Sequence, residues 1–214
     1  MTDFYQKIYI CYLTIVLWFN MNNKHNEKIE ILKLLMENKQ ETYSIRKISL
    51  QRKINYKSAY NALKVLEKEG IAELKSVGNT TLCSFNNGFN DLVFKAEYSR
   101  RENLFKKREF PIIYDRLSKL EFPFILLLFG SYAKGTATKH SDIDFLLISD
   151  EVYFKKVQET INIFPQDIHL TPVTYESFLR MARSREFSVV SEVLKKNFIL
   201  IGIEEYYRLL KNVK

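Results

Sequence analysis

Glycine and proline are scarce in this 214-residue chain, at 6 and 4. That scarcity excludes a collagen-like or low-complexity chain, and no internal repeat is present. Cysteine is scarcer still. Cys11 and Cys83 have no further partners and no metal-ligand spacing, so inert thiols in a reducing, cytoplasmic compartment are expected. Long apolar runs are lacking with one exception. Ile8 to Phe19 (IYICYLTIVLWF) is nearly unbroken for twelve residues, short of the roughly 20 that a membrane span needs. Lys7 precedes it, but no small-residue cleavage site follows, which leaves a secretory signal weak. Met21 comes directly after. The expectation is therefore a natural start at Met21, or a run that packs as an extra helix or strand; a peripheral membrane anchor is the third reading.

What is present is an ordinary globular mixture, 46% hydrophobic and 27% charged, with length for one large domain or two small ones. The formal charge of +8 is uneven. Residues 1–110 hold 19 Lys+Arg against 12 Asp+Glu, a net of +7; residues 111–214 hold 14 against 13, a net of +1. A basic half points either to a polyanionic partner or to solubility alone.

Within the basic half, Asn26–Asn38 places Ile29, Ile31, Leu32, Leu34, Leu35 and Met36 mostly on one helical face. A second short helix fits Ser44–Arg52, with Ser44 as N-cap. A third fits Tyr56–Lys68, where Ala59, Ala62, Leu63 and Leu66 keep the i, i+3, i+4, i+7 spacing and Gly70 stops the helix. Strand-like runs over 71–77 and 80–85 follow, joined at Gly78-Asn79, a turn-forming pair. Three helices closed by a hairpin are the order of a winged helix-turn-helix, and YNALKVLEKEGIAELKSVGNTTLCSF resembles the recognition helix and wing of that family. The resemblance covers about residues 24–87. No acidic residue lies between Glu41 and Glu67, whereas Arg46, Lys47, Arg52, Lys53, Lys57 and Lys64 all do. With Tyr60 and Asn61 they form the candidate DNA-binding set: cations for phosphates, amide and phenol for base edges. A protein-docking winged helix with a solvated basic face is the alternative.

Residues 90–107 read as a charged helical connector. From Phe110-Pro111 onward, helical and strand-like runs alternate: helix 112–120, strand 124–129, helix 132–136, strand 143–148, helix 153–161, strand 166–171, then helices from Tyr175. Such alternation argues for α/β layering. The division expected is an apolar extension over 1–21, a winged helix over 22–88, a connector over 89–109 and a second domain over 110–214.

The chemistry sits in that second domain. Phe124–Phe129 reads as a buried central strand that ends abruptly in Gly130-Ser131. A glycine there lets backbone approach a ligand, and the outward N–H groups and the serine hydroxyl suit a triphosphate. Asp142-Ile143-Asp144 follows. Residues i and i+2 share a strand face, so both carboxylates project to one side while Ile143 and Phe145 enter the core. Such a pair is costly unless a cation lies between its members, and oxygen ligands of this kind suit Mg²⁺. Asp167, on a neighbouring strand with His169, is the candidate third carboxylate: general base and ligand of a second metal ion. No role is assigned to His169 or His140.

The segment FGSYAKGTATKHSDIDFLL resembles the signature of the DNA polymerase β-like nucleotidyltransferases, in particular their minimal branch, over about residues 110–205. The resemblance implies a mixed sheet flanked by helices. It also implies two Mg²⁺ ions, ATP or another nucleoside triphosphate as substrate, and transfer of a nucleoside monophosphate to an acceptor hydroxyl. Gly130 and Ser131 match the phosphate-binding pair, Asp142 and Asp144 the metal-binding pair, and Asp167 the third carboxylate. Lys134 stands where members often carry Arg, keeping charge but not bidentate geometry. Members of that branch include antitoxins that modify a partner toxin. Two functions are thus expected: an enzyme that transfers AMP to a protein or small-molecule hydroxyl, or a DNA-binding regulator whose second domain senses nucleotide without turnover.

Overall fold

The computed structural model describes residues 27–184 and 186–213. The apolar run over 8–19, Cys11 and Met21 lie outside them. Among the described residues no helix is long and apolar enough to cross a membrane.

Helix α1 (Glu27–Glu37) buries the six apolar residues that the sequence marks. Strand β1 (Tyr43–Ser44) leads into α2 (Ile45–Arg52), whose first turn is capped by the Ser44 hydroxyl accepting from the Lys47 N–H. Helix α3 (Tyr56–Lys68) starts at an Asn55 cap and buries Ala59, Ala62, Leu63 and Leu66. Strands β2 (Ala72–Val77) and β3 (Thr80–Phe85) form an antiparallel hairpin. Its two-residue turn takes positive φ only at Gly78, the backbone that a type II′ hairpin asks of its first turn residue. β1 adds to the other side of β3, giving the order β1-β3-β2. Three helices, a hairpin wing and a short third strand make this unit a winged helix-turn-helix. Cys83 is buried in its sheet and gives its Sγ–H to the Tyr43 carbonyl; burial pushes the thiol up to about 12, so it stays protonated and inert.

Helix α4 (Asp91–Leu104) departs from the charged connector expected of its composition. It buries Val93, Ala96 and Leu104 and turns Glu97, Arg100 and Arg101 inward, at 1%, 3% and 5% exposure. Those charges tolerate burial because each is met by a partner. Arg100 donates to Glu97 at 2.5 Å and to the Asn197 carbonyl at 2.7 Å, and Tyr207 donates to Glu97 at 2.7 Å. Arg101 reaches the Leu200 carbonyl, and Lys39 lies 3.9 Å from Glu97. Periodicity of charge cannot distinguish a solvated face from a buried ionic network, so this inversion left no mark in the sequence.

The second unit runs α5 (Glu109–Leu117), β4 (Ile125–Phe129), α6 (Gly130–Lys134), β5 (Ile143–Ile148), a single 3₁₀ turn, α7 (Phe154–Ile161), β6 (Ile168–Val173), α8 (Tyr175–Arg183), α9 (Val189–Lys195), β7 (Phe198–Ile201) and α10 (Ile203–Lys211). The sheet order is β6-β5-β4-β7, with β5 and β6 parallel and the other two pairings antiparallel. Several elements differ from the sequence reading: α5 and α6 start three and two residues earlier than expected, and two strands depart from it. Phe198–Ile201, read there within a helical stretch, is a fourth strand; a four-residue apolar run has no periodicity to separate the two. β6 is shifted toward the C-terminus and includes Pro172, which an edge strand accommodates because one row of its backbone groups faces no partner.

Alternation sorts the sheet's side chains onto two faces. Leu126, Leu128, Ile143, Phe145 and Leu147 pack with Phe110, Ile113 and Leu117 of α5 and Val157 and Ile161 of α7. Ile125, Leu127, Leu146 and Ile148 face the other way, onto Phe178, Val190, Val193, Tyr206 and Tyr207. This second cluster continues without a break into the winged helix, through Val93 and Ala96 of α4 to Leu32 and Leu35 of α1. The two units thus share one core, with the Lys39–Glu97–Arg100 network buried inside their junction.

Lys39 gives that junction a pH signature. Burial lowers its ammonium to about 8, against an ordinary 10.5, with Glu97 opposing and Arg100 adding to the fall. Between those two values the unfolded chain holds more protons than the folded one, so stability rises with pH. Above about 10 the trend reverses, because burial raises Tyr206 and Tyr207 and the unfolded chain then loses its tyrosine protons first. Urea midpoints measured from pH 7.5 to 9.5 are expected to climb by about 2 kcal/mol of stability, and Lys39→Met is expected to flatten the climb. An equal slope in both proteins would contradict the assignment.

Candidate functional site

The site begins where β4 ends. All five β4 residues are buried, and the chain then turns through Gly130 at φ +66°. A Cβ at that position would overlap the Oδ2 atom of Asp144, with Cγ of the same carboxyl 2.9 Å away. Asp144 is in turn the cross-strand partner of Phe129. Only a residue without a side chain brings this backbone so close to a carboxylate. Helix α6 starts at once, with no side chain capping its first turn; uncapped N–H groups at a helix start are the kind that meet an anionic ligand. Ser131 lies half-exposed in that turn. Gly135, left-handed at φ +77°, closes the helix one residue after Lys134.

Asp144 stands on β5 with Ile143 and Phe145 directed into the opposite core, as the i, i+2 spacing of the two aspartates requires. Burial raises its carboxyl above the ordinary value. The charges of Asp142 and Glu192 add to the rise, while His169 and Lys134 oppose it. Asp142 is exposed, one residue before the strand. Asp167 also lies one residue before its strand and is exposed; its carbonyl accepts from the Ile143 N–H at 2.9 Å. Since Ile143 pairs with Ile168, Asp142 and Asp167 stand side by side at adjacent strand ends. His169 pairs with Asp144 on the same face.

The structure therefore brings Gly130, Ser131, Lys134, Asp142 and Asp144 to one end of the sheet, with Asp167 at its margin. Among the described residues no three His, Cys, Asp or Glu side chains converge closely enough to hold a metal ion. Two carboxylates beside a glycine turn have the oxygen chemistry that suits Mg²⁺, which binds through one or two carboxylates and completes its shell with phosphate oxygens and water.

One participant left no signal in the sequence. Glu192, on α9, takes the Lys134 ammonium at 2.6 Å across 58 residues of chain and acts on Asp144 as well. Nothing short of the fold places a residue of α9 over α6.

The winged helix presents a second candidate surface. Arg46, Lys47, Lys53, Lys57, Tyr60, Asn61 and Lys64 are all exposed. Lys47 leans over the Tyr43 ring, and Lys64 pairs with Glu67 at 2.9 Å. Arg52 is different. Its guanidinium is half-buried against α1, 2.6 Å from Glu37 and 4.0 Å from Glu30, so it buttresses the helix pair and does not face outward with the others.

The mixed sheet with a glycine turn facing an aspartate pair is the frame of a nucleotidyltransferase domain. Residues 113–205 match the model of the nucleotidyltransferase domain family, and this part of the chain carries such a domain. Solved structures similar to the chain include the adhesin competence repressor (AdcR) from Streptococcus pyogenes, 18% identical over 55% of this chain and 83% of that one, with a TM-score of 0.33. A mutant of ZitR from Lactococcus lactis in apo form is 22% identical over 53% of this chain and 92% of that one, with a TM-score of 0.28. No curated protein matches the chain.

Gly130→Ala tests the packing at the centre of the site. The left-handed backbone and the overlap with Asp144 together are expected to cost about 1–3 kcal/mol, read as a lowered urea midpoint. A variant as stable as the wild type would show that the contact is dispensable.

Proposed function

We propose that the C-terminal domain transfers a nucleoside monophosphate, AMP from ATP in the favoured case, to a hydroxyl of a protein or small molecule. The observation that carries this reading is the packing of the Gly130 turn against Asp144, which sets a bare stretch of backbone beside a carboxylate pair. The N–H groups of the α6 first turn, the Ser131 hydroxyl and the Lys134 ammonium are the groups for the β- and γ-phosphates. Lys134 acts as a point charge and must leave Glu192 to do so. Asp142 and Asp144 would hold Mg²⁺; Asp167, set apart from that pair at the margin, is the proposed further ligand for a second ion. When bound, such ions neutralise phosphate charge and polarise the reacting phosphoryl group. Asp167, exposed at the rim, is the group to take the proton of the attacking hydroxyl. The hydroxyl oxygen bonds to the α-phosphorus, the bond to the bridging oxygen breaks, and pyrophosphate leaves. An antitoxin-type role, with a partner toxin as acceptor, is the biological form of this reading.

The exposed cationic face of α3 supports a second activity alongside it. Lys57, Tyr60, Asn61 and Lys64 line one side of the helix that enters the major groove in winged helices, so DNA binding is proposed for this unit. If the transferase proves silent, the chain is a DNA-binding regulator that senses nucleotide.

Two measurements separate these readings. With ATP labelled at the α-phosphate, Mg²⁺ and candidate acceptors, label is expected to transfer with the wild type and to vanish in Asp142→Ala/Asp144→Ala; transfer surviving the double substitution would falsify the mechanism. For DNA, Lys57→Ala is expected to weaken binding uniformly across sequences and to reduce the slope of log affinity against log salt by about 1. A slope identical to that of the wild type would remove Lys57 from the interface.

A further inference from the structure

We propose that Glu192 is an internal competitor for the phosphate-binding lysine. It holds Lys134 when the site is free, yields it to an entering triphosphate and takes it back as pyrophosphate leaves. This role rests on the nucleotidyl-transfer reading above, and it sets how tightly the site holds its phosphates.

The two partners differ in freedom. Lys134 is the last residue of α6, a five-residue helix closed by Gly135. Its ammonium rides on a four-carbon arm, and about half of the side chain is exposed. Glu192 is less exposed, and its helix is fixed along its length. Val190 and Val193 on either side of it are fully buried. Ser188 and Ser191 close a capping box at the start of α9. Just past its end the Asn197 amide donates to the Val193 carbonyl at 2.7 Å and to the Tyr206 hydroxyl at 3.2 Å. When the pair opens, Lys134 therefore moves and Glu192 stays. The carboxylate remains beside the site, where its charge already acts on Asp144.

Room and a substitute partner are both at hand. Lys134 and Glu192 line a cleft of about 550 Å³ between α6, α9 and the loop after α1, so the lysine has space to swing. Lys195, one turn further along α9, lines the same cleft and is a neighbour of Glu192 at i, i+3 spacing. Released from Lys134, the carboxylate meets that ammonium. The exchange costs little, as expected of a pair this exposed, and a phosphate with more than one charge wins the lysine.

Calorimetry on the full chain with Mg-ATP, Mg-pyrophosphate and AMP tests this role. Glu192→Gln keeps the shape of the side chain and removes its charge. It is expected to tighten ATP and pyrophosphate by about fivefold and to leave AMP unchanged, because AMP has no phosphate to reach Lys134. In the Lys134→Met background the same substitution is expected to bring no gain, a dependence that a merely structural role for Glu192 does not produce. Unchanged or weaker ATP binding in Glu192→Gln would overturn the role, as would an equal gain for AMP or in the Lys134→Met background, where Glu192 acts only as a general negative field. Loss of folding in Glu192→Gln, read from urea midpoints, would make the pair structural and overturn it too. In each of these cases ATP binding by the wild type leaves the donor reading standing. If neither the wild type nor Glu192→Gln binds ATP, both fail.

Discussion

A bare stretch of backbone pressed against a carboxylate organises the functional end of this molecule. Gly130 can lie over Asp144 only because it has no side chain and adopts a positive φ. That contact follows from the antiparallel pairing of β4 and β5, which puts Phe129 opposite Asp144. It also directs α6 outward at the point where the carboxylates emerge. The buried apolar strands, the flanking helices and the left-handed stop at Gly135 all serve to hold this turn and this strand in register.

The second constraint is a buried ionic network in a shared core. Apolar residues run continuously from the winged helix to one face of the transferase sheet, and Lys39, Glu97, Arg100, Asn197 and Tyr207 lie within that continuity. A buried charge left without its partner is far more costly than a paired one. The network therefore ties the loop after α1, helix α4, the approach to β7 and helix α10 to a single arrangement. The same loop after α1 forms one wall of the cleft beside Lys134, so the winged helix and the second unit meet there as well.

The sequence disclosed most where local rules decide the outcome. Helix α3 and strand β3 have the limits that spacing and turn residues predict, as does β5 with its aspartate pair, because capping, alternation and the hairpin turn act within a few residues. It failed where partners are distant. The inward charges of α4 are intelligible only beside Asn197 and Tyr207, a hundred residues on. Arg52 looks like another cation of a basic stretch until α1 supplies Glu30 and Glu37. Glu192 belongs to no motif, and β7 is too short to declare its period. The carboxylate pair was legible from i, i+2 spacing; the position of Asp167 at the margin depended on where β6 begins, which the edge proline obscured.

Nucleotidyl transfer at the glycine turn and the aspartate pair, as proposed, differs from phosphoryl transfer and from passive sensing in which phosphate, if any, reaches the acceptor. Parallel incubations with ATP labelled at the α- or the γ-phosphate, in Mg²⁺ and with candidate acceptors, address it most directly. Label is expected on the acceptor from the α-position alone, with pyrophosphate released in equal amount. Acceptor labelled from the γ-position, or inorganic phosphate as the sole product, would contradict the proposal.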